Sequence, residues 1–422
     1  MLGTWLGKVV RLATWWRPGG GHALPGLVVG RLVPGCLAAL AGRLPEGVVL
    51  ITGTNGKTTT TKMVVELVQA AGLRAVTNPT GSNLARGIVS SLVRDADWRG
   101  RPSADLAVFE VDEAYAARLV AQVRPRWVLA LNISRDQLDR FGEVETVADR
   151  VGVAARAATE GVVTNADDPR LSRLGAALAD AGVLVDYFGV APELAHLFPR
   201  DDELVSSSGV VADRGPRPSP SVELVALGQG SASFRVADRV IPATLRVTGQ
   251  HNVLNAAAAL ALTRHLVPAV GDAGLVERLG RVAPAFGRGQ TWILDGRQLE
   301  LVLVKNPAGF HQALASYLAD ETDTMIAIND EIADGRDVSW LWDVDVSALA
   351  GRPVAVTSGA RAADMALRLG YSDIAVDAVD TDLDGALRHL AGLPGHRKLV
   401  LANYTAMVHL HATLRRHAKE AS

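Results

Sequence analysis

Residues 51–63 read ITGTNGKTTTTKM, and the fold turns on how this stretch is parsed. The run GVVLITGT (47–54) is apolar and ends in a glycine turn, the pattern of a buried strand. KTTTTKMVVELVQAAG (57–72) follows as a helix, with Met63, Val64, Leu67 and Val68 on one face and Gly72 placed to end it. A strand, a glycine turn and a Lys-Thr pair opening a helix make the setting of a phosphate-binding loop. The usual spacing, G-x-x-x-x-G-K-[ST], would put the first glycine at position 51. That residue is Ile51, and the nearest glycine is Gly53, so the loop is a shortened one.

The chemistry of such a loop follows from its backbone. N–H groups at a helix start, aided by the helix dipole, hold phosphate oxygens. Gly53, Thr54, Asn55, Gly56, Lys57, Thr58 and Thr59 are the candidate nucleotide contacts. Lys57 would reach the β- and γ-phosphates of ATP. The Thr58 hydroxyl would ligate Mg2+, a hard ion that prefers oxygen. Glu110, in FEVDEA (109–114), stands at the end of a strand-like run, where a carboxylate suits ATP–Mg2+ chemistry.

Further apolar runs at 74–78, 106–112, 127–133 and 161–167 read as strands, and helical patterns such as 113–122 and 146–159 separate several of them. Alternation of this kind predicts an α/β fold with a parallel, doubly wound sheet. Residues 185–247 read as a small β-rich insert, with a flexible stretch near 213–221, and 250–267 as a helix. From 293 a second α/β unit begins, with strand-like runs at 299–305, 324–330, 353–359, 373–377 and 398–403. The expected organisation is a lead-in segment over 1–47, a nucleotide-binding domain over 48–292 and a second, Rossmann-like α/β domain over 293–422.

Bulk properties narrow the field. A chain of 422 residues has room for two or three domains. Its 48% hydrophobic and 21% charged residues are those of a globular protein, and a net charge of -2 argues against a general nucleic-acid binder. Cys36 is the single cysteine, which excludes an intrachain disulfide and a cysteine-based zinc site and fits a reducing cytoplasm. No apolar run approaches the roughly 20 residues of a membrane span. The first residues combine Trp5, Trp15 and Trp16 with Lys8, Arg11 and Arg17. That mixture suits a helix resting at a membrane surface or a short helix packed on the first domain, and the second is the preferred reading.

GTNGKTT (53–59) resembles the shortened loop of the Mur ligase superfamily, whose members use ATP to turn a carboxylate into an acyl phosphate and then form an amide. FEVDEA, LNISRDQLDRFGE (131–143), NADDP (165–169) and TGQHNVLNAAAAL (248–260) are similar to further segments of that family, in the same order and spacing. The resemblance implies that Glu110 binds Mg2+ and that Asn252 and Asn255 touch the nucleotide, while His251 either orients phosphate or metal or packs its helix. Two features depart from the family. No lysine lies between Lys62 and Lys305, so no carbamylated lysine is available, and Gln137 stands where the family has histidine. Only about 50 residues precede the loop, too few for the nucleotide-sugar domain of relatives that take UDP-linked substrates.

LVKNPAGFHQAL (303–314) and NDEIADGRDVSWLWDVDV (329–346) closely resemble the MurT family, the synthetase subunits of lipid II isoglutaminyl synthase. The resemblance implies amidation of the D-glutamate α-carboxyl in lipid II. Ammonia would come from a separate GatD-type class I glutaminase, forming a heterodimer at the cytoplasmic face of the membrane. Lys305 and Asn306 would lie near the nucleotide. Asp337 would complete the partner's Cys-His pair, with Asp334 and Asp343 as competing candidates in the same acidic loop. A chemical argument agrees, because glutamine hydrolysis needs an activated nucleophile and Cys36 sits in a Pro/Gly segment with no nearby histidine. Some relatives carry a four-cysteine zinc ribbon, but the matching region, about 195–225, has no cysteine, so no structural zinc is expected. The alternative reading is a folylpolyglutamate-synthase-like amide ligase.

Overall fold

Apolar strands alternating with amphipathic helices close into two sheets, in a computed structural model that describes residues 2–14, 24–78, 84–134, 144–199, 217–228, 230–247, 249–283, 288–335 and 337–420. The first sheet is nine-stranded. Its strands are β1 (Val48–Thr52), β2 (Ala75–Val76), β3 (Leu106–Glu110), β4 (Trp127–Ala130), β5 (Gly161–Asn165), β6 (Leu184–Val190), β7 (Val222–Gly228), β8 (Ser231–Val236) and β9 (Arg239–Thr244). They lie in the order β2-β3-β1-β4-β5-β6-β7-β8-β9. Pairing is parallel as far as β7, and β8 and β9 add antiparallel.

Every residue of β1, β3 and β5 is buried. That explains why these strands read as continuous apolar runs, since both faces of a parallel sheet are covered. The covering helices are α1 (Leu2–Thr14), α2 (Leu24–Leu32), α3 (Cys36–Ala41), α4 (Lys57–Ala70), α5 (Ala85–Asp95), α6 (Glu113–Val120), α7 (Val144–Arg156), α8 (Pro169–Asp180), α9 (Gln250–Leu266) and α10 (Asp272–Leu279). Helix α9 is buried almost all round, from Ala256 to Thr263. Its alanines let it lie close to both α4 and the strands β5–β7. Strand β1 sits between β3 and β4, so the connection from β1 to β2 and that from β3 to β4 run to opposite sides. Such a switch point opens a crevice at the carboxyl end of the strand, where ligands bind in open α/β sheets.

The second sheet is seven-stranded, in the order β14-β13-β12-β15-β11-β10-β16. Its strands are β10 (Arg288–Leu294), β11 (Arg297–Leu303), β12 (Thr322–Ala327), β13 (Val354–Ser358), β14 (Val376–Asp380), β15 (Arg397–Ala402) and β16 (Lys419–Glu420). Its helices are α11 (Pro307–Tyr317), α12 (Ala362–Gly370), α13 (Leu383–Gly392) and α14 (Tyr404–His417). The five strands from β14 to β11 are parallel, and β10 and β16 add antiparallel at one edge.

Two stretches differ from their sequence reading. The β-rich stretch over 185–247 does not form a sheet apart. It supplies β7–β9, which prolong the main sheet, because β7 finds a parallel partner in β6. Pairing there overrides a segment whose composition favours turns. The flexible stretch expected near 213–221 falls partly outside the described residues, as does Gln137. The second sheet also takes in β10 from Arg288, ahead of the expected start at 293, through antiparallel pairing with β11.

Candidate active site

The loop between β1 and α4 is shaped by two glycines. Gly53 has φ 132° and Gly56 has φ 86°, both in the region that favours glycine. A Cβ on Gly56 would stand 2.3 Å from Asn255 Oδ1, and one on Gly53 would stand 3.0 Å from the Asn132 backbone nitrogen. The loop is thus squeezed between the end of β4 and the start of α9. Asn132 braces it by donating from Nδ2 to the Asn55 carbonyl (3.0 Å) while its Oδ1 accepts from Asn55 N–H (2.8 Å). Thr54 N–H donates to the Asn132 carbonyl (3.0 Å), and Thr54 Oγ1 accepts from Ser134 N–H (3.0 Å). The rest of the segment, 135–143, lies outside the described residues.

Lys57 is the first residue of α4, and it is buried. Its Nζ donates to the carbonyls of Gly53 and Thr54 and pairs with Glu113 Oε2 at 3.1 Å. Glu113, also buried, opens α6 just after β3. Burial pushes its carboxyl up, but Lys57 and then Lys305 offset this and hold it below the ordinary carboxylate value. The ion pair is therefore charged, and both partners depend on it.

Thr58 Oγ1 donates to Glu110 Oε2 at 2.8 Å. The residues expected to hold Mg2+ thus converge, although the chain places them 52 positions apart. Asn78 fixes Glu110 from behind. Its Oδ1 accepts from Glu110 N–H and its Nδ2 donates to the Glu110 carbonyl, each at 3.0 Å. A hydroxyl and one buried carboxylate fit Mg2+, which binds through one or two carboxylates and keeps water and phosphate oxygens as its other ligands. Among the described residues no group of three or more His, Cys, Asp or Glu side chains is placed to hold a metal. His251 instead lines a pocket with Asn55, Gly56, Asn255, Lys305 and Tyr317. Asn252 and Asn255 are both buried one turn apart on α9. Thr59 is buried in the first turn of α4.

The second sheet closes the site. Asn306 follows β11 and caps α11, its Oδ1 accepting from Gly309 N–H at 2.8 Å. Its Nδ2 donates to Asn55 Oδ1 at 3.1 Å, so the cap of one half holds the tip of the phosphate loop in the other. Asp337 is placed elsewhere. It is partly exposed on the loop after β12, and its Oδ1 accepts from Ser339 N–H at 2.8 Å. That hydrogen bond holds its carboxyl below the ordinary value. Asp334 is buried and takes both the backbone N–H and the hydroxyl of Thr405 at the start of α14. Asp343 is exposed.

Sequence reasoning did not single out Glu113, Asn78 or Asn132. Glu113 lies within FEVDEA and Asn132 within the LNISRDQLDRFGE segment, so the motifs pointed to the right places. What was missing was the partner of each side chain, which lies far away along the chain.

A loop of this build on a switch-point strand, with its lysine, threonine and carboxylate assembled, defines a nucleotide-dependent ligase fold. A family model for the Mur ligase middle domain matches residues 51–263, half of the chain, and the chain belongs to the Mur ligase family. A model for the MurT ligase C-terminal domain matches residues 303–407. It is 27% identical over 93% of its length to the MurT subunit of the glutamine-hydrolysing lipid II isoglutaminyl synthase of Streptococcus pneumoniae R6, covering 92% of that protein. The Staphylococcus aureus COL subunit of the same name is also 27% identical, over 92% of this chain and 91% of that one. Among solved structures, MurF from Acinetobacter baumannii superposes with a TM-score of 0.68 at 19% identity, over 90% of this chain and 79% of that one. Mycobacterium tuberculosis folylpolyglutamate synthase, complexed with ADP and AMPPCP, gives 0.60 at 17% over 92% and 98%. Both show the shared fold.

Proposed function

We propose that this chain is the synthetase subunit of a lipid II isoglutaminyl synthase. It uses ATP to activate the α-carboxylate of D-glutamate in the lipid II stem peptide and amidates it with ammonia from a GatD-type glutaminase subunit. The observation that carries the reading is similarity to MurT subunits along both halves of the chain. A match to the nucleotide-binding half alone would leave the acceptor open.

In the first step a carboxylate oxygen bonds to the γ-phosphorus and the bond to the β-phosphate oxygen breaks, leaving an acyl phosphate and ADP. Ammonia then adds to the acyl carbon, loses a proton, and phosphate departs. Lys57 and the N–H groups opening α4 hold the phosphates and neutralise the charge that gathers on them. Mg2+, when bound, supplies further charge neutralisation, and Thr58 and Glu110 are the residues that would hold it. Asn306 keeps the loop tip against the second half, and Lys305 extends the positive charge across the pocket. Use of ATP fits the cytoplasmic face of the membrane.

The glutaminase reading is supported by the loop after β12. Asp337 is partly exposed there, and Ile332, Trp342 and Tyr371 lie open on the same half of the chain. Trp342 and Tyr371 meet edge to face, with ring centroids 5.3 Å apart. An accessible aspartate and an exposed aromatic pair on the same half of the chain suit a contact with another chain.

The deciding assay follows amidation of lipid II by the chain co-purified with its glutaminase. Amide should form with ATP and glutamine together and require both. Incorporation of glutamate in place of ammonia would favour the folylpolyglutamate-type alternative. Undiminished activity in Lys57→Ala would overturn the mechanism.

A further inference from the structure

Helix α1 packs inside out. The residues it buries toward α2, α3 and α5 are small, namely Gly3, Thr4 and Gly7, and of its large apolar residues Leu6 packs half-buried beside them. A Cβ on Gly3 would stand 2.5 Å from Cys36 Sγ, and one on Gly7 would stand 2.5 Å from a Val93 methyl. Four other large apolar residues point the other way. Leu2, Trp5, Val9 and Leu12 are 74%, 59%, 41% and 55% exposed and recur at helical spacing on one face. Trp98, from the turn after α5, joins them. Its ring meets Trp5 edge to face at 5.6 Å, and Lys8 Nζ stands 5.4 Å from its centroid.

Charge says what covers this face. Residues 1–45 hold five basic side chains, Lys8, Arg11, Arg17, Arg31 and Arg43, and no acidic one, in a chain whose total is 45 acidic against 43 basic. A second copy of the chain is a poor occupant, because a two-fold contact would bring two copies of the same basic, acid-free segment together. Anionic lipid complements it, and indole rings beside Lys and Arg suit the headgroup level of a bilayer. The helix cannot span, since it has 13 residues and no described helix is long and apolar enough to cross a membrane.

We infer that α1 and Trp98 form a docking surface for an anionic lipid bilayer, with α1 lying in the plane of the interface. The surface is separate from the ligase site and does not depend on the ligase reading. The test uses the full chain and substrate-free vesicles, so its failure and a failure of that reading are distinguishable. The chain should sediment with phosphatidylglycerol–phosphatidylcholine vesicles, less so as salt is raised, and weakly with phosphatidylcholine alone. Trp5→Ser with Val9→Ser, and separately Lys8→Glu with Arg11→Glu, should each weaken partitioning by about tenfold or more. Neither side chain of the charge pair is buried, so that variant should stay folded, which its melting curve checks. No partitioning of the wild type, or equal partitioning of the charge variant, overturns the inference. So does self-association in solution that these variants abolish without any vesicle binding.

Discussion

The loop after β1 buries its charges in pairs, whereas the loop after β12 keeps one aspartate buried and leaves others at the surface. Both follow the carboxyl ends of parallel strands, and both carry residues expected to serve catalysis. In the first, Lys57 and Glu113 are buried together, and Thr58 reaches Glu110. In the second, Asp334 is committed to Thr405, while Asp337 holds only a local turn through Ser339. Buried charges need fixed partners, so the phosphate loop is built as one piece with its neighbours. An aspartate proposed to meet another chain has to stay accessible, and only the Ser339 N–H preorganises it.

Substitutions can break this contrast, taken in falling order of expected stability loss. Lys57→Ala should be the most severe, because it leaves Glu113 buried beside an empty position. A loss of about 3–5 kcal/mol is expected in urea unfolding, together with loss of ATP-dependent activity. Retained stability would mean that Lys305 alone can compensate Glu113. Asp334→Ala should come next, at about 1–3 kcal/mol, since Thr405 at the start of α14 loses its acceptor.

The Glu113 pair also predicts a pH dependence. Its folded carboxyl lies below the ordinary value, so the folded state releases that proton more readily than the unfolded state. The stability this contributes is complete above the ordinary carboxylate range and is lost as pH falls through the folded value. Glu113→Gln should therefore be less stable at neutral pH and show a shallower fall in acid. An acid limb identical to the wild type would remove Glu113 from the account. Asp337→Asn should do least to stability, under about 0.5 kcal/mol, as expected for a surface position. Its effect should instead appear in the assembled enzyme, as reduced glutamine-dependent amidation with ammonia-dependent amidation preserved. Equal loss of both activities would break the proposed division between the loops.

How far the site was legible depended on the range of each interaction. Lys57, Thr58 and the two loop glycines could be read directly, because a strand–turn–helix is a local unit whose backbone geometry constrains residue type. Glu110 could be placed because it ends an apolar run. Glu113 and Asn78 could not, since a lone carboxylate or amide looks the same in sequence whether it faces water or a buried lysine. Strand β7 escaped for a related reason. Its pairing with β6 spans the interval from Val190 to Val222, and no local pattern encodes a partner that distant.

By itself the sequence determined the α/β class and the shortened phosphate loop, which rest on periodicity and on residues close together in the chain, and, through resemblance to a known family, the MurT-like character of the C-terminal half. Only the tertiary structure decided how the site is held. It set Lys57 against Glu113, Asn132 against the loop backbone, and Asn306 against Asn55 across 251 residues. It also turned the large residues of α1 outward. The physical reason is common to these cases. Side-chain partners are set by the closure of sheets and by which faces find cover, and those are properties of the whole packed chain rather than of any segment.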